Sequence, residues 1–330
     1  MNLATEYLGL KLKNPIMPGA SPLVDDLAAV RRLEDAGAAA IVMYSLFEEQ
    51  IELERVALER DVESHTESFA EALTYLPTEE DFEETSDQYL ALIGKIKATV
   101  SVPVIASLNG ITPGGWVGHA KLIEQAGADA LELNYYDLPS NPNKTGAEVE
   151  QRALDLVRAI RKEVKIPIAV KLSPFFSSLP NFVKQLLGVG ANGVVLFNRF
   201  YQPDINIEDL DTDSVLELST PAELRLRLRW LAILSAQVDT SYAATGGIHS
   251  AKDAVRAIMA GAHSVQMVSA LLRNGTDHLA TVLADLSQWL EEHEYESVAQ
   301  MRGTMNLKHC PDATAFERAN YLRILKSWQA

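Results

Sequence analysis

The sequence predicts an α/β fold in a single domain, a (β/α)8 or TIM barrel with a helical acidic insertion after its second strand. Three observations predict it. A phrase recurs in which a helix ends in Gly-Ala or Ala-Gly-Ala and a short apolar run follows, at Ala36-Gly37-Ala38, Ala126-Gly127-Ala128, Gly190-Ala191 and Gly261-Ala262. Strand and helix patterns alternate from one end of the chain to the other, which implies a parallel sheet. Eight such units over 330 residues come to about 41 residues each, a length that suits a closed barrel with insertions. A doubly wound open sheet also alternates, but no Gly-x-Gly-x-x-Gly follows the first apolar strand.

Each element follows from a local rule. The eight strands are assigned to 15–17, 40–43, 102–106, 130–133, 166–171, 193–197, 240–244 and 265–268. These runs are largely apolar, as strands buried on both faces must be. Helical patterns fill 25–36, 114–125, 147–164, 179–187, 221–236 and 251–260. Where a helix ends at glycine, that residue takes a left-handed conformation and the chain reverses into the next strand. Two connections are longer than a barrel needs. Residues 48–100 form an acidic, helical insertion, readable either as a lid over the barrel mouth or as a solvated helical pair that covers nothing. Residues 199–220, after the sixth strand, read as a functional loop.

Composition narrows the class of function. Hydrophobic residues make up 47% of the chain, enough for a large core. The net charge of −16, from 29 basic and 45 acidic residues, argues against nucleic acid or an anionic membrane as a partner. Cys310 is the only cysteine, so an intramolecular disulfide is impossible and a reducing, cytoplasmic setting is expected. No basic region followed by a long apolar segment opens the chain, and no apolar run reaches membrane-spanning length, so secretion and membrane insertion are not expected.

Chemistry in such a barrel sits at the C-terminal ends of the strands. The turns at Thr245-Gly246-Gly247 and Val268-Ser269 end the last two strands, where helix N-termini and closely approaching backbone suit a phosphate. The other strand ends are polar, sparsely charged and rich in amides: Ala20-Ser21, Tyr44-Ser45, Asn109, Asn134 and Asn198. Each asparagine offers donors and an acceptor to a planar ring bearing carbonyl and N–H groups, although asparagine also serves as an ordinary loop cap. Lys171 is the one cation at a strand end in the middle of the barrel. It suits a Schiff base with a carbonyl substrate, the stabilisation of negative charge on a reduced cofactor, or a structural pair with an inward carboxylate. The seven histidines lack metal-ligand spacing and no Gly-x-Ser-x-Gly is present, so neither a metal site nor serine hydrolysis is expected.

The runs Asn14-Pro15-Ile16-Met17-Pro18-Gly19-Ala20-Ser21, Glu132-Leu133-Asn134, Ala169-Val170-Lys171-Leu172-Ser173-Pro174, Ala244-Thr245-Gly246-Gly247-Ile248 and Val265-Gln266-Met267, in this order, resemble the class 1 dihydroorotate dehydrogenases. That resemblance implies a cytosolic FMN-containing barrel that oxidises dihydroorotate to orotate. It implies that Thr245, Gly246, Gly247, Val268 and Ser269 take the FMN phosphate, that Ala20 and Ser21 lie against the isoalloxazine, and that Lys171 sits beside its pyrimidine edge. Ser45, Asn109, Asn134 and Asn198 fall where the family contacts flavin or substrate. It also implies a homodimer, for which the sequence offers only the apolar and aromatic residues of 316–328.

The departures lie around the substrate. Where the family carries a cysteine or serine that removes the substrate proton, this chain reads Asn134-Tyr135-Tyr136-Asp137-Leu138-Pro139-Ser140-Asn141, with Asp137 in the base position and Asn141 a further candidate for holding substrate. A carboxylate is a weak base toward a carbon-bound proton unless desolvation strengthens it, which a closing lid would do. Tyr44 stands where the family has a lysine over the flavin. The expected function is an FMN-dependent oxidoreductase acting on a small planar or carboxylated molecule. A catalytically silent FMN-binding protein and a flavin-free lyase built on Lys171 are the alternatives.

Overall fold

The computed structural model describes residues 1–51, 86–111, 116–213, 215–318 and 320–327. Eight parallel strands form the barrel: β1 (Ile16–Pro18), β2 (Ile41–Phe47), β3 (Val104–Asn109), β4 (Ala130–Asn134), β5 (Ile168–Leu172), β6 (Gly193–Leu196), β7 (Ser241–Thr245) and β8 (Ser264–Met267). Their hydrogen-bonded order runs β1-β8-β7-β6-β5-β4-β3-β2. Between β1 and β2 the Ala39 N–H donates to the Ile16 carbonyl at 2.9 Å, which brings the two ends of the sheet together. The predicted fold class is therefore the observed one.

The principal helices are α1 (Leu27–Asp35), α2 (Ser86–Thr99), α3 (Trp116–Gln125), α4 (Gly146–Glu163), α5 (Leu179–Gly188), α6 (Leu224–Ser235), α7 (Ala251–Ala260), α8 (Ser269–Asn274) and α9 (His278–Glu292). Gly37, Gly127, Gly190 and Gly261, the four predicted helix stops, have φ of 101, 100, 111 and 122°. Strand ends differ from prediction in one direction at β2 and β3, which run on to Phe47 and Asn109. The predicted apolar runs stop earlier because Tyr44-Ser45 interrupts the first and Ser107 the second.

Alternation along each strand separates two environments. Leu131 and Leu133 of β4, Val170 and Leu172 of β5, and Val265 and Met267 of β8 belong to the layer between sheet and helices. Ala130, Ala169, Val195 and Ala243 fill the lower barrel interior with Tyr7, Leu8 and Leu12. Those last three belong to an N-terminal hairpin, Thr5–Tyr7 paired with Leu10–Leu12, absent from the predicted elements. Leu8 and Gly9 turn it with φ of 56 and 78°, the two consecutive positive values that suit a tight hairpin. A Cβ at Gly193 would lie 2.7 Å from Leu8 Cδ2, so β6 begins with a residue that leaves room for this plug.

The predicted insertion at 48–100 falls largely on residues 52–85, outside those described. Its last part is α2, which buries Tyr89, Ile93 and Ile96 against the barrel and serves as the helix between β2 and β3 rather than as a lid. The long connection after β6 carries a short antiparallel ladder, Asp204–Asn206 with Asp211–Asp213, and exposes Ile205, Ile207 and Leu210. At the C-terminus, the helix Asn320–Lys326 exposes Tyr321, Leu322, Ile324 and Leu325. No helix among the described residues is long and apolar enough to cross a membrane.

Candidate active site

The parity that places small residues low in the barrel places polar ones above them. On β4, Glu132 and Asn134 follow Ala130 on the inward face; on β5, Lys171 follows Ala169; on β8, Gln266 follows Ser264. The register sets Asn109 beside Asn134 and Asn134 beside Lys171. Lys171 Nζ donates to Glu132 Oε1 at 2.9 Å, and Gln266 Nε2 donates to Glu132 Oε2 at 2.6 Å. All three side chains are buried. Glu132 thereby links β4 to β5 and to β8, and its charge helps push the buried phenols of Tyr7 and Tyr89 upward, an effect dominated in both by burial itself.

Two adjoining cavities open above this network, of about 280 and 650 Å³. Both are lined by Ala20, Ser21, Lys171, Asn198 and Arg199. The first runs toward Thr245, Gly246, Gly247, Val268 and Ser269. The second runs toward Tyr44, Ser45, Asn109, Asn134 and Tyr136. Ser45 Oγ lies 2.8 Å from Ser107 Oγ, which fixes it against the neighbouring strand. Around the shared region the buried Ser21 Oγ, Gln266 Oε1, Asn134 Oδ1 and Arg199 Nε have no partner among the described residues. Orphaned buried acceptors are costly unless a bound group answers them.

The glycine turn of the first cavity is more constrained than an ordinary reversal. Gly246 and Gly247 have φ of 86 and 83°. A Cβ at Gly247 would lie 2.6 Å from the Leu224 backbone nitrogen, and one at Gly246 would lie 2.7 Å from Arg227 Nη2. The helix after this turn starts only at Ala251, capped by Ser250, so the glycines precede the helix instead of forming its first turn. The partner turn differs: α8 begins at Ser269, directly after Val268. Ser269 Oγ accepts the Ser219 N–H at 2.9 Å, and Ser219 Oγ accepts the Gly247 N–H at 3.3 Å, which ties the two turns together.

Arg227, on α6, supplies the cation of this end of the cavity. It is 6% exposed, donates from Nε to the Thr245 carbonyl at 3.0 Å and from Nη1 to the Glu223 carbonyl at 2.9 Å. Burial lowers its pKa, partly offset by the Glu223 carboxylate. Burial opposes ionisation of Glu223 as well, yet hydrogen bonds from the Thr220 N–H and from Arg199 hold that carboxyl below its ordinary value.

A family model described as dihydroorotate dehydrogenase matches residues 78–290 of the 330. The chain belongs to the dihydroorotate dehydrogenase family. It is 27% identical over 319 residues to the catalytic subunit of dihydroorotate dehydrogenase B (NAD(+)) of Thermoplasma volcanium, covering 92% of this chain and 98% of that one. The corresponding subunit of Anoxybacillus flavithermus is 29% identical over 315 residues, 91% of this chain and 95% of its own. The chloroplastic dihydropyrimidine dehydrogenase (NADP(+)) of Arabidopsis thaliana is 23% identical over 326 residues, 92% of this chain and 76% of its own.

Against the pattern of this dehydrogenase family, two predicted site residues stand apart. Asp137 lines neither cavity. Its carboxylate, 6% exposed, pairs with Arg152 Nη2 at 2.9 Å and accepts the Tyr135 hydroxyl at 3.0 Å, which turns it toward α4. Asn141 is exposed and accepts the Asn143 N–H in a local turn, also away from the cavities. The loop thus presents Tyr136 where a base was expected, stacked on Phe200 with ring centroids 4.6 Å apart. Lys171 lines both cavities and also has the inward carboxylate partner that was one of its readings, Glu132. Glu132, Gln266 and Arg227 were not among the predicted site residues. The first two were legible as polar residues at alternate positions of apolar strands; Arg227 sits in the run Leu224-Arg225-Leu226-Arg227-Leu228-Arg229, where nothing local marks which arginine turns inward.

Proposed function

We propose that the protein is an FMN-dependent oxidoreductase that exchanges hydrogen across a carbon–carbon bond of a dihydropyrimidine-like ring. The observation that carries the reading is the position of Lys171, whose side chain lines both cavities at their junction. The donor set fits the cofactor: Arg227 and the Gly246-Gly247 turn suit a phosphate, and the unanswered atoms of Ser21 and Gln266 suit the polar edge of an isoalloxazine. A bound flavin supplies hydride acceptance.

The remaining work falls to the chain. The Lys171 ammonium, anchored by Glu132, favours negative charge beside it without needing to reorganise. Asn134 and Asn198 offer amide groups to the carbonyl and N–H edges of a ring, and Tyr44 and Tyr136 wall the larger cavity. Asp137 takes a structural role, holding the β4–α4 loop through Arg152 and Tyr135. The relatives named for dihydroorotate and for dihydropyrimidines support a six-membered ring of this type.

Purification and cofactor release test the reading. The protein should be yellow, release FMN on denaturation and, once stripped, take up FMN in preference to FAD. A colourless protein that takes up neither sinks it.

A further inference from the structure

Within the flavin reading above, on which this inference rests, Arg199 is a cation without an assigned task. It follows Asn198 beyond the end of β6, where the Asn198 N–H donates to the Leu172 carbonyl at 2.8 Å, and its side chain lines both cavities. Its Nη1 donates to both carboxylate oxygens of Glu223, at 3.0 and 3.1 Å. Glu223 lines neither cavity, so that corner of the guanidinium is turned away from them. The opposite edge carries Nε, which is buried and has no partner among the described residues. The guanidinium carbon sits over the Tyr201 ring, 6.0 Å from its centroid, which leaves the edge of the group rather than that face for recognition. Glu223 also lies 4.0 Å from Arg227 Nη1, so two arginines share one glutamate and positive charge is left over.

We infer that Arg199 is a specificity-determining residue, which reads a carboxylate on the substrate ring through the edge formed by Nε and Nη2. The two N–H groups of that edge run parallel with the spacing of carboxylate oxygens, a match that a single carbonyl oxygen cannot complete. A neutral ring would leave a buried donor of a charged group unanswered, which costs affinity. The Glu223 contact, made from Nη1 alone, holds the guanidinium in place without occupying this edge. Asn198, the preceding residue, and Asn134 line the same cavity and remain for the carbonyl and N–H groups of the ring. Carboxylate and ring amides are then read by different side chains.

The test uses the FMN-loaded protein. Failure to bind FMN would overturn the flavin reading itself, and is seen before any ring is added. The loaded protein is titrated with orotate and with uracil, the same ring with and without a carboxylate, following the flavin absorption and, separately, the heat of binding. Orotate should bind about tenfold or more tightly than uracil, and its affinity should fall with added salt while that of uracil holds. Arg199→Lys keeps the charge and loses the edge; Arg199→Gln loses both. Each should weaken orotate by roughly tenfold or more and leave uracil and FMN within about twofold. Because Arg199→Gln also strands Glu223, the same measurement is made with Glu223→Gln added, which removes both charges together and should show the same selective loss. Orotate binding that is no tighter than uracil, or that ignores the Arg199 variants, overturns the inference. Equal weakening of both rings overturns it in favour of a structural role, and a loss confined to FMN does so by assigning the guanidinium to the cofactor phosphate. Failure of the loaded protein to bind either ring overturns it as well.

Discussion

Lys171 and Glu132 form an ion pair inside the barrel, 2.9 Å from Nζ to Oε1, with side chains 8% and 1% exposed. The pair joins a structural role to a functional one, since the lysine also lines both cavities. Burying two charges is costly, and removing only one partner leaves the other uncompensated.

Lys171→Met should therefore do two things. It should destabilise the fold by about 3–5 kcal/mol, the usual result of stranding one member of a buried pair. It should also lower the midpoint potential of the bound flavin by removing positive charge beside it; about 30 mV corresponds to roughly 1.4 kcal/mol for a two-electron couple. Adding Glu132→Gln should restore much of the stability but only part of the potential, because removing that anion offsets part of the lost positive charge. Urea denaturation and spectroelectrochemistry on both variants check the two effects, and an unchanged potential in a flavin-loaded Lys171→Met removes the lysine from the cofactor site.

Asp137→Asn should cost stability and spare reactivity. The substitution keeps the shape but removes the charge facing Arg152, an interaction whose aspartate end is buried; the loss should be about 1–3 kcal/mol. Whatever compound reduces the flavin should do so within about threefold of the wild-type rate, well under the loss expected from removing a general base. Thermal unfolding paired with anaerobic stopped-flow reduction separates the roles. Loss of reduction at unchanged stability would return Asp137 to the base position.

The contrast between Asp137 and Glu132 shows what the sequence could and could not reveal. Barrel architecture was legible because its signals are local: left-handed glycines at helix ends and apolar strands of regular spacing. The turns that end β7 and β8 were legible for the same reason. Glu132 lies within an apolar strand, and its inward direction follows only once register and parity are fixed together. Asp137 matched a motif position, but whether a loop carboxylate faces a cavity or a helix depends on the tertiary partner it finds, here Arg152 on α4. Arg227 depends likewise on the rotation of α6 against β7, set by packing that no short segment encodes.

His263 provides a pH-dependent term in stability. Its pKa is pushed down to about 4, first by burial and then by the Arg302 charge, and its Nδ1 accepts the Tyr242 N–H at 3.2 Å. The neutral ring is the form that can accept this bond. Because the folded pKa lies below the unfolded value, the contribution is complete above about pH 6.5 and is lost as pH falls toward 4. From pH 7 to 5 the wild type should lose about 2 kcal/mol more than His263→Asn, whose side chain does not titrate. Equal losses in parallel urea titrations would show that the ring is protonated as readily in the folded state as in the unfolded one.

Arg227 offers a sharper test of how the first cavity is used. Its Nε and Nη1 brace the Thr245 and Glu223 carbonyls, and its Nη2 lies beside Gly246 at the cavity wall. If the phosphate of FMN occupies that end, the guanidinium gives it a charge-assisted contact that riboflavin lacks. Arg227→Lys keeps a positive charge but loses the planar fork that reaches both carbonyls and the cavity at once. FMN affinity should fall about ten- to hundredfold, in line with about 1.5–3 kcal/mol for a hydrogen bond to a charged group, while riboflavin affinity should change little. Fluorescence quenching titrations with the two flavins measure the ratio directly. A parallel loss for FMN and riboflavin would mean that Arg227 only braces the glycine turn, because a collapsed turn weakens every flavin alike, whereas a missing phosphate contact weakens only the phosphorylated one.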